Sequence, residues 1–148
     1  MKLYTRTVIL TAAQVNALDS TAITVIPAPS NSNTVIQVES VRFAKLSGTA
    51  AGTCSTAPIT TVYTGETTAI AGFASAANTQ TFMSTGAAAA TYLVAIKKPA
   101  VDFGGAGIAQ ADIVGKGIDI TGAGASIAAF DGTMQVTISF YMVNIENS

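Results

Sequence analysis

Hydrophobic and polar residues alternate most regularly between positions 134 and 142. Met134, Val136, Ile138, Phe140 and Met142 fall on one parity, and Gln135, Thr137, Ser139 and Tyr141 on the other. That two-residue repeat predicts a long β-strand with one buried face. Asp131-Gly132 just ahead of it is a tight-turn signal. Lys2 to Leu10 is rich in β-branched and aromatic residues and predicts a second strand, and Thr21 to Ile26 a third. Thr34 to Leu46 predicts a long strand that changes phase. Ile36 and Val38 share one parity, Val41 and Phe43 the other, so the slip at Glu39-Ser40 predicts a β-bulge. Ile59 to Tyr63, Thr79 to Met83, Thr91 to Ile96 and Gly117 to Thr121 complete about eight or nine strands.

One segment carries a helix signal instead. Thr11 and Gln14 have the spacing of a capping box, and Leu10 and Val15 that of a hydrophobic staple. They predict a short helix from Ala12 to Leu18. The stretches Ser47 to Thr56, Gly65 to Asn78, Gly86 to Ala90, Phe103 to Gly107 and Gly122 to Ser126 are rich in Gly, Ala, Ser and Thr and read as connections. Short strands at even spacing with Gly-rich turns predict an all-β fold. The expected form is an antiparallel β-sandwich or jelly roll with one short helix near the N-terminus, residues 1–148 making a single domain.

Composition narrows the function. Hydrophobic residues make up 49% of the chain and charged residues only 10%, with no His, no Trp and one Cys. Soluble domains carry about 25% charged residues. Catalysis draws mainly on His, paired carboxylates, an activated Cys or a metal, and little of that is present, so no enzymatic role is expected. A net charge of −1 offers no basic patch for nucleic acid or for an anionic membrane. The mean hydropathy is high, +0.49, yet Thr, Ser or Gly interrupts every apolar run well before the ~18 residues of a membrane span. Nor does the N-terminal stretch read as a secretion signal. Depletion of charge is instead what the buried centre of a protein–protein interface shows, and it predicts outer faces covered by other protein.

Four features could carry chemistry. Gly104-Gly105-Ala-Gly107 and Gly115-Lys-Gly117 suggest a phosphate loop, but position 110 is Gln and position 117 Gly where that motif needs Gly and Ser/Thr; turn glycines are expected. Asp102, Asp112 and Asp119 lie in a Gly-rich region and could make a loop metal site or simply serve turns and strand ends; no metal and no cofactor is expected. Cys54 has no partner for an intrachain disulfide and reads as an inert buried thiol. Lys97-Lys98-Pro99 either ends a strand or meets an acidic neighbour in an assembly, and Arg42 and Lys45 on the long strand could do the same. With Tyr4 and Arg6 on the N-terminal strand, these four basic residues form the candidate interface.

Several segments also resemble a known group of proteins. Thr7-Val-Ile-Leu-Thr-Ala-Ala-Gln14, Ala17 to the Pro27-Ala-Pro29 turn, the strand Val35 to Phe43, and Asp131-Gly132-Thr133 followed by Met134 to Asn144 are similar to segments of small tailed-phage virion proteins. The resemblance covers about a third of the chain, at its two ends. It implies a β-sandwich or jelly-roll protein of the virion, most like a capsid decoration or cement protein. Such a protein would be assembled in the host cytoplasm and sit on the capsid surface as an oligomer, a trimer preferred. It would bridge copies of the major capsid protein. The alternative is a head-fibre or tail-fibre module for host attachment.

Overall fold

The computed structural model describes residues 1–86, 94–97 and 110–145. Ten strands and three helices follow one another within them. The strands are β1 (Leu3–Leu10), β2 (Ile23–Ile26), β3 (Thr34–Lys45), β4 (Thr53–Ser55), β5 (Thr60–Tyr63), β6 (Ala71–Gly72), β7 (Val94–Lys97), β8 (Ile118–Thr121), β9 (Ser126–Ala128) and β10 (Met134–Asn144). The helices are α1 (Ala12–Asn16), α2 (Ala76–Ser84) and α3 (Gln110–Ile113). The protein is mostly β and every strand pairing is antiparallel.

Two four-stranded sheets run in the orders β1-β10-β3-β7 and β2-β8-β5-β6, and β4 with β9 makes a small third one. The pairings β1–β10, β2–β8, β3–β7 and β5–β6 are nested within one another. The chain thus behaves as a long antiparallel ribbon, turned back on itself between β5 and β6. The additional pairings β10–β3 and β5–β8 join turns of that ribbon side by side. The β4–β9 pair crosses the nesting and ties two of its loops together.

The regular alternation of β10 explains its place in the middle of the first sheet. Met134, Val136, Ile138 and Phe140 are buried and face the core with Val41 and Phe43 of β3. The parity slip on β3 is a bulge: Ser139 lies opposite Ser40 and Phe140 opposite Val38, leaving Glu39 as the extra residue. This single insertion keeps both Val38 and Val41 inside, at 3% and 0% exposure. Phe43 stacks on Phe73, and Phe82 meets Phe73 at a tilt, with ring centroids 4.6 and 5.1 Å apart. Such contacts add about 0.5–1.5 kcal/mol each beyond the area they bury.

The helices depart from expectation. The capping box at Thr11 and Gln14 is made, with both reciprocal bonds present. Val15 is buried beside Leu10 in the same cluster, but α1 stops at Asn16 and continues as a turn to Ser20. Thr79 to Met83, expected as a strand, lies in α2 instead. Ser75 caps that helix by accepting from the Asn78 amide, and Thr79, Phe82 and Met83 form one buried helical stripe. The β-branched Thr residues suggested a strand, but the cap and the three- and four-residue apolar spacing prevail. The stretches read as connections at 47–56, 65–78 and 122–126 hold β4, β6, the start of α2 and the first residue of β9. The connections at 87–90 and 103–107 lie outside the described residues.

One glycine has no alternative. A Cβ on Gly132 would lie 1.7 Å from the Ser47 carbonyl oxygen, so the Asp131-Gly132 turn ahead of β10 packs directly onto the chain leaving β3.

Tyr63 ties the two large sheets together. Its hydroxyl donates to the Ile36 carbonyl at 2.7 Å, and burial pushes its pKa from 10.0 up to about 12. The unfolded chain therefore releases this proton more readily than the folded one. The stabilisation is complete below pH 10 and is lost as pH rises from 10 through about 12, on the order of 2–3 kcal/mol. Alkaline unfolding monitored by circular dichroism should show this loss in the native chain relative to Tyr63→Phe. Parallel pH profiles for the two would contradict the burial of that hydroxyl.

Candidate protein interface

β1 is the edge of the first sheet, and among the described residues it pairs only with β10. The second sheet covers little of it. Only Leu10 is buried and Val8 half-buried, while the rest of the strand is exposed on both faces. Leu3 and Ile9 are 49% and 57% exposed, unusual for apolar side chains on a strand with a free edge.

The core-side parity of β1 is covered only at Val8 and Leu10, and its first half, Tyr4 and Arg6, lies outside the sandwich. Tyr4 lies opposite Phe140, and their rings stack at 5.7 Å. The Lys2 ammonium sits 5.3 Å from the centre of the Tyr4 ring. Arg6 lies opposite Ile138 and is exposed. Met142 continues the buried parity of β10 but is 41% exposed, because β10 there runs past the cover of the second sheet. Lys2, Tyr4 and Arg6 thus form a ledge of two cations and an aromatic ring along β1 at the free edge, with Met142 one strand further in on β10.

The opposite face of the same sheet is broad and nearly uncharged. Thr5 and Thr7 of β1 lie opposite Ser139 and Thr137 of β10, which lie opposite Ser40 and Arg42 of β3. The hydroxyls of Thr5 and Ser139 are 3.4 Å apart, and those of Thr7 and Thr137 are 3.2 Å apart. Gln135, Gln37 and Tyr141 extend this face, with Leu3 and Ile9 at its margin. Of the residues of β1, β10 and β3 on this face, only Arg42 and the bulge residue Glu39 are charged.

The candidate interface residues therefore separate. Tyr4 and Arg6 stand on the ledge, Arg42 on the uncharged face behind it. Lys45 is inside, 2% exposed, and is a correction to its reading as a surface cation. Its ammonium donates to the Thr49 and Met83 carbonyls at 2.5 and 2.8 Å and lies 5.0 Å from the centre of the Phe130 ring. Met83 is near the end of α2, so Lys45 satisfies a carbonyl that the helix leaves open. Burial lowers its pKa, and the charge of Asp131 partly opposes that. Asp131 in turn accepts from the Thr49 amide and hydroxyl, and these bonds hold its carboxyl below the usual range. Lys97 lies on β7 opposite Val41, and Lys98 is outside the described residues.

The other candidate chemistry is taken up by the fold. Gly115 has φ +71° and passes the Ser32 carbonyl, and Gly117 passes the Ile26 carbonyl, so both are close-approach glycines after α3. Asp119 is buried on β8 and accepts from the Thr64 hydroxyl at 2.9 Å. Asp112 is in the first turn of α3, and Asp102 lies outside the described residues. Among the described residues no three of His, Cys, Asp and Glu gather to hold a metal. Cys54 is buried, its thiol bonded to the Ala57 carbonyl and its pKa raised by that burial. No helix among the described residues is long and apolar enough to cross a membrane.

The two-sided exposure of β1 was the feature least expected from the sequence. A signal for it exists: Leu3 and Ile9 share the parity of Thr5 and Thr7, so neither face of Lys2 to Leu10 is consistently apolar.

No protein-family model matches the chain, and no curated protein matches it. Among solved structures it is similar to a chain described as "Cyanophage Pam1 capsid asymmetric unit", at 16% identity and a TM-score of 0.47, over 95% of this chain and 83% of that one.

Proposed function

We propose that this protein is a non-enzymatic structural part of a phage virion. It would bind the capsid exterior as an oligomer, a trimer preferred, and bridge copies of the major capsid protein. The observation that carries this reading is the broad face of β1, β10 and β3, where hydroxyls and amides replace the charges of an ordinary solvated sheet. Such a face costs little to desolvate against another protein. The sequence resemblance to small tailed-phage virion proteins points the same way. The nested ribbon supports the finer fold assignment of a jelly roll, with β4 and β9 as additions, since eight strands in two sheets is that architecture.

The physical action is that of a clamp. A copy that touches two capsid subunits binds the second at high effective concentration, so modest contacts sum to persistent attachment. Because it binds the assembled shell and not separate subunits, it stabilises the shell by mass action. Particles lacking the protein should lose resistance to heat and low salt, and adding it back should restore that resistance. Thr7→Glu places a charge on the exposed face without touching the core, and this variant should fold but fail to restore it. Equal resistance with and without the protein would overturn the proposal.

A further inference from the structure

We infer that the free edge of β1 is a docking strand for an extended acidic segment of another protein, added as a fifth strand beside β1. This inference rests on the assembly role proposed above and names the chemistry of the partner. Three observations carry it. β1 is hydrogen-bonded to a neighbour on one side only among the described residues, and an open edge offers its backbone groups to an incoming strand. From Leu3 to Thr7 its side chains are exposed on both faces, so among the described residues neither sheet nor loop shields that stretch. Its charges are all of one sign: Lys2 and Arg6 flank Tyr4 on one parity, and the stretch from Met1 to Leu10 contains no Asp or Glu.

That last observation selects the occupant. Two copies of β1 paired edge to edge would bring four cations into one ribbon with no carboxylate, which like-charge repulsion opposes. An acidic strand reverses the sign of every such term. Lys2, Tyr4 and Arg6 recur at every second residue, so Lys2 and Arg6 are roughly 13 Å apart along the strand. The complementary segment has carboxylates four residues apart and an apolar residue midway, all on one face. Its apolar side chain would rest on Tyr4, and its carboxylates would meet Lys2 and Arg6.

The test uses the full chain and two synthetic nine-residue peptides with alternating Thr. One carries Glu, Val and Glu at alternate central positions, the other Lys, Val and Lys. Binding is followed by amide chemical shifts and amide exchange. The Glu peptide should bind at least about tenfold more tightly than the Lys peptide, from two ion pairs gained against two repulsions. It should also slow exchange specifically in β1. The double variant Lys2→Glu with Arg6→Glu changes only exposed side chains and should invert the preference. Equal binding of the two peptides, or protection outside β1, would overturn the inference. So would β1 protection in the free protein that grows with its concentration, since a second copy would then be the occupant. Peptide binding is measured without virus particles, so its failure is distinguishable from failure of the capsid role.

Discussion

Phe140→Ala should lower the stability of the fold by about 3–5 kcal/mol, whereas Met142→Ala, two residues along the same parity, should cost under about 1 kcal/mol. The sequence gives these two residues the same pattern. The structure separates them: Phe140 is 5% exposed and stacks on Tyr4, while Met142 is 41% exposed. Removing the Phe140 ring leaves a cavity between the sheets and strips Tyr4 of its support. Removing the Met142 side chain uncovers only surface that water already reaches. Thermal or urea unfolding of the two variants measures the difference directly. Similar losses for both would mean that the second sheet extends over the far end of β10.

Lys45→Ala should destabilise by about 3 kcal/mol, far beyond the ±0.5 kcal/mol typical of a surface lysine. The substitution leaves the Thr49 and Met83 carbonyls without their donor and opens space beside Phe130. It also frees the end of α2 from the strand that holds it. Lys45→Met refills most of the volume but supplies no donor, so it should recover only the packing share of the loss. Urea denaturation of both variants checks this. A wild-type midpoint for Lys45→Ala would show that the ammonium is solvated and that α2 is anchored by other contacts.

Much of the strand framework was legible because each strand obeys a local rule. β10 alternates, β3 alternates with one slip, and Thr11 with Gln14 spells the capping box, so these elements stand close to where the pattern puts them. Lys45 shows what a local rule misses. Its place on the core-facing parity of β3 was readable from Phe43 two residues earlier. Its partners were not, because they come from a helix and a loop distant in sequence. α2 was read as a strand for a related reason: Thr79 and Thr81 favour extended backbone on their own, and only packing of Phe82 and Met83 into the core decides for the helix. The short strands β4, β6 and β9 carry hardly any periodic signal, being two or three residues long, and exist because a partner strand is nearby. The candidate interface was legible as a quantity, a shortage of charge, but not as a place. Its location depends on β1 being an edge, which only the pairing order shows.

If this chain coats a virus shell, as proposed, its abundance there is the most direct test. Quantitative mass spectrometry of purified virus particles would give its copy number relative to the major capsid protein. Hundreds of copies per particle are expected, in fixed proportion to the capsid protein. A few dozen or fewer would indicate a fibre, vertex or tail component, and complete absence from purified particles would contradict the virion role itself.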